Sequence, residues 1–232
     1  MSEIDRNWTR RAVLAGAGCA SLALLPGGPA RAANLGATLT GLLGRASDSA
    51  LDQLSQPGAF YNDPAVRIAL PLVGRSAGGA LDSLLNVGQQ FGLTNNITRK
   101  LNDAAGLAAR AAKPVFRTAI SRLTLADVPG IATQADGATQ YLQRSAGAEL
   151  KDKLRPLVDA ALLQVGAYRQ VDRLARTSSL IRAAGITREK LGDSVSTQAL
   201  GGIFRYIGAE EGKLRADPLG SADGLLKGLL GN

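Results

Sequence analysis

The chain has 232 residues, of which 45% are hydrophobic, 20% charged and 4% aromatic, with a formal net charge of +8. That is the composition of a globular chain, and the length suits one domain. Histidine is absent and cysteine occurs once, at Cys19, so a histidine base and an intrachain disulfide are both excluded.

Residues 1–32 have the parts of an export signal and are set apart from the fold. A polar start carries the adjacent pair Arg10 and Arg11, a weakly apolar run covers residues 12–25, and the segment ends in Ala30-Arg31-Ala32. The run is too short for an ordinary membrane-spanning helix. Thr9-Arg10-Arg11-Ala12-Val13-Leu14 resembles a twin-arginine signal, with Arg10 and Arg11 as the recognised pair and the twin-arginine translocase as the partner during export. Cys19 lies inside the apolar run with Gly16 three residues before it, which is not the setting of a lipoprotein anchor. Cleavage is expected between Ala32 and Ala33, releasing a soluble periplasmic domain of residues 33–232. Removing Arg6, Arg10, Arg11 and Arg31 together with Glu3 and Asp5 leaves that domain at +6, without cysteine, histidine or tryptophan. Zinc or haem sites that need histidine or cysteine, and thiolate chemistry, are then closed to it. No cofactor is expected.

The periodicity of residues 35–54 predicts a first amphipathic helix, with Leu35, Leu39, Leu42, Ala46, Ala50 and Leu54 in one stripe. Residues 57–74 hold three prolines and an alternating Val66-Arg67-Ile68-Ala69-Leu70, which predicts an extended segment lying across helices, anchored by Phe60 and Tyr61. Helix is expected again over 76–91. Residues 95–123 read as the longest helix, capped by Thr94 or Asn95, with a kink or break before Pro114. Its stripe of Leu101, Ala105, Ala108, Ala112, Phe116, Ala119 and Leu123 is alanine-rich, so neighbouring helices can come close and must supply the bulk.

A short turn is expected over 124–129, then a helix over 138–146 capped by Asp136, and another over 149–165 kinked at Pro156. Residues 167–176 form a helical segment made basic by Arg169, Arg173 and Arg176. A loop is expected over 177–192, a helix over 194–215, and a last short helix over 222–230. The fold class is all-α: a single compact domain of seven to nine helices with one extended, proline-containing segment.

Four separated stretches carry a resemblance: QPGAFYNDPAVRIALP (56–71), FRTAISRLTLADVPGI (116–131), ATQYLQRSAGAELKDKLRPLVDAALLQVGA (138–167) and VSTQALGGIFRYIGAEEGKLRADP (195–218). Together they resemble the domain-of-unknown-function family numbered 4197, exported helical proteins of Gram-negative bacteria. The resemblance implies an all-helical fold and an envelope location, and no activity. Where that family often carries a second acid in its counterpart of Ala199-Leu200-Gly201-Gly202, this chain has Gly201.

Two residue groups are candidates for function. Arg99, Arg110, Lys113 and Arg117 give the long helix a basic face that suits an anionic lipid or an acidic envelope protein. Nucleic acid is not expected, because the basic residues have no interleaved aromatics and the export signal points to the periplasm. The second group is Glu210, Glu211 and Arg215, the one cluster that could support a carboxylate-dependent hydrolase of the envelope. Neighbouring residues on a helix point about 100° apart, which favours structural roles for the two glutamates. Glu211 and Arg215 read as an exposed i,i+4 pair worth a few tenths of a kcal/mol. Asp63, Arg67, Asp127 and Asp136 read as turn and cap residues. The leading expectation is a non-catalytic periplasmic protein that binds an envelope component.

Overall fold

The computed structural model describes residues 28–71, 93–124, 131, 134–177 and 186–216, with side chains from 36 and from 96 in the first two of these stretches. The expected helices over 76–91 and 222–230 and the turn at 124–129 lie outside the described residues, apart from Thr124. Six helices are described: α1 (Gly28–Leu54), α2 (Ala59–Asn62), α3 (Leu93–Ser121), α4 (Gly137–Gln164), α5 (Ala167–Thr177) and α6 (Arg188–Ala216).

The four long helices form a ring in chain order, α1 beside α3, α3 beside α4, α4 beside α6 and α6 beside α1. Each spans roughly 40 Å at 1.5 Å per residue. The cross-links run antiparallel. Asp48 and Asp52 of α1 meet Arg117 and Lys113 of α3, Lys100 near the start of α3 meets Val165 just past the end of α4, Arg122 just past the end of α3 meets Glu149 in the middle of α4, and Glu211 of α6 meets the start of α4. The arrangement is an up-down-up-down bundle with two short helices on it.

The alanine stripe of α3 does what its composition predicts. Ala104, Ala105, Ala108, Ala109 and Ala112 are all buried, and the volume comes from Leu43, Leu51, Leu54, Leu142, Leu150, Leu154 and Leu162 on the flanking helices. Across the ring, Phe116 of α3 meets Phe204 of α6 edge-on, ring centroids 6.2 Å apart. Such a pair adds about 0.5–1.5 kcal/mol beyond its buried area.

Four boundaries differ from expectation. Helix α1 starts at Gly28 rather than 35, and so runs through the expected cleavage position. Helix α3 does not break before Pro114; it is unbroken from Leu93 to Ser121. A proline inside a helix costs about 3 kcal/mol, and here Ala112, Phe116, Ala119 and Ile120 are all buried on either side of it, so packing offsets that loss. The two helices expected over 138–165 are one, α4, because Leu142, Ala146, Leu150, Leu154 and Val158 make a buried stripe that passes straight through Gly147 and Pro156. Helix α6 begins at Arg188, inside the expected loop; Thr187 Oγ1 accepts the Lys190 N–H (3.2 Å), and Leu191 and Val195 are buried.

The expected extended segment is present but shorter. Gly58 turns the chain at φ +78°, α2 forms, and extended chain follows from residue 67. Phe60 is buried as an anchor; Tyr61 is only partly covered, lying beneath the guanidinium groups of Arg67 (5.0 Å) and Arg99 (4.7 Å). Two side-chain amides then grip consecutive residues. Asn102 Oδ1 accepts the Ile68 N–H (2.8 Å) and its Nδ2 donates to Ile68 C=O (2.9 Å). Gln198 does the same for Ala69 from α6, at 2.9 and 3.0 Å. Successive residues of an extended chain point their polar groups to opposite sides, so one amide comes from α3 and the other from α6. Each amide replaces the peptide group of a neighbouring strand.

Gly202 lets this segment sit down on α6. A Cβ there would come within 3.1 Å of Val66 Cβ and 3.2 Å of Phe60 Cε1, whereas a Cβ at Gly201 meets nothing within 4 Å. Gly202→Val is expected to cost about 1–3 kcal/mol through overpacking. Gly201→Ala is expected to gain up to about 1 kcal/mol in helix propensity. Urea denaturation of the two variants checks the pair; equal shifts would contradict the close approach at Gly202.

Candidate functional site

The acidic candidates separate as soon as their surroundings are drawn. Glu211 is fully buried, and its carboxylate accepts the N–H groups of Ala138 (3.0 Å) and Thr139 (2.8 Å), the Thr139 hydroxyl (2.6 Å) and the Arg215 guanidinium (2.7 Å). Ala138 and Thr139 belong to the first turn of α4, whose leading N–H groups have no partners within their own helix. Asp136, expected to cap this helix, makes no side-chain capping bond; it accepts instead from Gln140 Nε2 (2.9 Å). The cap comes from α6. Arg215 also donates to Ile131 C=O (3.0 Å), so the Glu211–Arg215 pair, expected to be exposed, is an interior clamp with all its acceptors occupied.

Glu210 points elsewhere, accepting from Ser49 Oγ (2.8 Å) on α1 and from Lys213 Nζ (2.6 Å). Burial would raise its pKa, but the bonds from Lys213, Gln53 and Ser49 outweigh that and hold it low. The two adjacent glutamates therefore serve different faces and share no cleft. Asp63 is also held low, first by the Ala65 N–H (2.8 Å) and then by the Tyr206 hydroxyl (2.8 Å).

A depressed folded pKa means that the unfolded chain takes up its proton first as pH falls. The stabilisation from Asp63 and Glu210 is complete above the unfolded carboxylate values, about 4, and is lost as pH drops through the lower folded values. Melting temperature is expected to fall over that acid range, and to fall less steeply in Asp63→Asn. An identical acid limb in the variant would contradict the assignment.

The basic candidates are also placed differently from one another. Arg117 grips Asp48 with both Nε and Nη2 (2.9–3.2 Å), Lys113 pairs with Asp52 (2.5 Å), and Arg110 donates to Ser55 C=O (3.3 Å). These three form an antiparallel zipper along α1. Arg99 lies some 16 Å further along α3, at 1.5 Å per residue, and stacks on Tyr61. The four do not make one surface.

What sequence reasoning missed is a cleft between α3 and α5. It holds about 460 Å³ and is lined by Asn96 and Lys100 of α3, the Val165–Gly166 turn, and Arg169, Gln170, Arg173 and Leu174 of α5. No lining residue is acidic. Lys100 Nζ donates to Val165 C=O (2.6 Å), a cation on the last carbonyls of α4. Gly166 has φ +73°, and a Cβ on it would stand 3.1 Å from a terminal nitrogen of Arg169, so the guanidinium folds back over the bare glycine. The ammonium and the guanidinium thus meet at the same turn. The readable signal was the spacing of 166, 169, 170, 173 and 174, which is one face of a helix; that it faces Lys100 is a matter of tertiary packing.

On the other side of α5, Tyr168 donates to Asp159 Oδ1 (2.5 Å), and Arg155 Nε bonds the other oxygen (2.9 Å). Burial first, and then that bond, push the Tyr168 phenol well up, so it acts as a donor that locks α5 to α4 rather than as a base. Among the described residues no three carboxylates gather to hold a metal ion, and no helix is long and apolar enough to cross a membrane. Comparison with curated proteins and with solved structures found no match. The profile of one family of proteins of unknown function, DUF4197, matches residues 30–231, and the chain belongs to that family.

Proposed function

We propose that the protein is a non-catalytic helical protein of the periplasm, exported through the twin-arginine route, that binds an anionic component of the envelope. The observation that carries this reading is the α3–α5 cleft, where Lys100, Arg169 and Arg173 converge with no carboxylate among them. Of the cations singled out from the sequence, Lys113 and Arg117 pair with Asp52 and Asp48, and Arg215 with Glu211. A volume of about 460 Å³ suits a head group or small anion rather than a protein segment. The twin-arginine reading rests on Arg10 and Arg11 and the residues around them.

The competing hydrolase reading gains no support. Glu211 has its carboxylate filled by α4, and Glu210 is held ionised by Ser49 and Lys213 on a different face. The test is sedimentation with anionic and zwitterionic vesicles at low and high salt, together with mass spectrometry of what co-purifies from periplasmic extract. Binding to anionic vesicles at low salt, weakened at high salt by screening, is the expected result. No vesicle binding and no co-purifying anion would overturn the reading.

A further inference from the structure

We propose that Tyr61, Arg67 and Arg99 form a docking surface for an acidic protein segment, two of whose carboxylates are taken up by the two guanidinium groups. The surface is separate from the α3–α5 cleft, and the inference does not depend on what that cleft holds.

One ring brings the two cations together. The Arg67 guanidinium carbon lies 5.0 Å from the Tyr61 ring centre and that of Arg99 lies 4.7 Å from it, so the two are separated by less than twice the longer distance. Both arginines are exposed. Arg67 also donates from Nε to Tyr61 C=O (2.5 Å) and keeps its Nη donors, while Arg99 donates to no acceptor among the described residues. Asp63 feels the charge of Arg67, but its two oxygens already accept the Ala65 N–H and the Tyr206 hydroxyl. Arg205, exposed on α6 and also felt by Asp63, adds a third positive charge to this side of the molecule.

Three observations point to carboxylates on a protein chain. First, two like charges held against one ring repel, and a carboxylate entering beside them relieves that repulsion. Second, arginine and tyrosine dominate the residues that carry most of the energy at protein interfaces, and a guanidinium fork takes a carboxylate with two parallel bonds. Third, the group is already in position. Tyr61 and Arg67 sit on a backbone pinned on one side by buried Phe60 and on the other by Ile68, whose peptide groups Asn102 holds. Less ordering is then needed on binding. The surface is open, with Pro64, Ala65 and Ala69 exposed beside it, which suits a chain laid across it rather than a small anion. An anionic membrane is recognised by larger basic clusters, and here Asp103 stands exposed on α3 one turn from Arg99.

The test is a titration of the nitrogen-labelled full chain, followed by magnetic resonance. The probe is a serine–glycine peptide with two glutamates two residues apart, and its diglutamine counterpart is the blank. Arg67→Gln, Arg99→Gln and Arg99→Lys are compared with Arg110→Gln, a change at an exposed arginine further along α3 that donates to Ser55 C=O. Circular dichroism melts establish that each variant folds. Arg99 bonds no backbone group among the described residues, so its variants keep the test open should Arg67→Gln fail to fold.

Saturable shifts of the Arg67 and Arg99 Nε–H signals with the glutamate peptide, absent with the glutamine one, are the result the proposal requires. Arg67→Gln and Arg99→Gln should each weaken binding about tenfold, as expected for a lost bond to a charged group, and Arg110→Gln should leave it unchanged. Arg99→Lys keeps the charge but not the fork and should weaken binding too. No saturable shift, an equal loss in Arg110→Gln, or full binding by Arg99→Lys overturns the docking surface. Phosphatidylglycerol vesicles are titrated in parallel. Vesicle binding that Arg67→Gln and Arg99→Gln abolish, without any binding of the glutamate peptide, would overturn the protein segment in favour of a membrane.

Discussion

Glu211→Ala is expected to lower the melting temperature by about 10 °C. The substitution takes the carboxylate from the Arg215 guanidinium, whose side chain is 18% exposed and which keeps its bond to Ile131 C=O, and returns the Ala138 and Thr139 N–H groups to the unpartnered state of a helix start. Removing one member of a buried ion pair costs about 3–5 kcal/mol, and a chain of this size loses roughly 2–4 °C per kcal/mol. Glu211→Gln keeps one acceptor oxygen and nearly the same volume, so a smaller drop is expected. Glu210→Ala should be milder than Glu211→Ala, because its partners are Ser49 and the exposed Lys213. Thermal melts followed at 222 nm rank the three, and amide exchange at Ala138 and Thr139 should quicken in Glu211→Ala before exchange elsewhere. A Glu211→Ala protein that melts with the wild type would show that α4 does not depend on α6 for its cap.

Asn102→Leu should be comparably damaging, by a different route. Asn102 is 2% exposed and Ile68 wholly buried, so the leucine leaves the Ile68 N–H and C=O in the interior with nothing to bond. Each such group costs about 1–3 kcal/mol, which gives roughly 2–5 kcal/mol for the two. Gln198→Leu breaks the matching pair on Ala69, but that side lies near solvent, where water replaces the lost partner, and a loss of about 1 kcal/mol or less is expected. Urea midpoints at unchanged m-value separate the two cases. Equal losses would mean that burial does not distinguish the two amides. Because Asn102 and Gln198 stand on opposite helices of the ring, the double variant should release the extended segment and expose Phe60, which a fluorescent probe of apolar surface would detect.

Much of the architecture was legible because it follows from local rules. Helical periodicity placed most of the described helices, and the alanine stripe of α3 correctly implied that bulk must come from its neighbours, since a small side chain permits close approach whatever its partner is. Two of the misplaced boundaries share a cause. Gly147 and Pro114 weaken a helix locally, and whether they break it depends on how much buried surface continues on either side, which is a property of the packed neighbours. The same holds for Asp136. Its position at the head of α4 makes it a natural cap in sequence, yet the bond comes from Glu211, more than seventy residues away.

The candidate site shows the same division. The sequence by itself determined that the described part would be helical, that histidine and disulfide chemistry were closed to the chain, and that two adjacent glutamates on a helix would face different surroundings; each follows from composition or from the 3.6-residue turn. Only the tertiary structure decided which charges were taken up and which converged. Lys113 and Arg117 belong to a zipper because α1 runs antiparallel to α3 with Asp52 and Asp48 at matching heights. Lys100 and Arg169 meet because the turn at Gly166 folds α5 back toward α3. Charge pairing depends on distance, and distance between residues far apart in the chain exists only once the helices have packed.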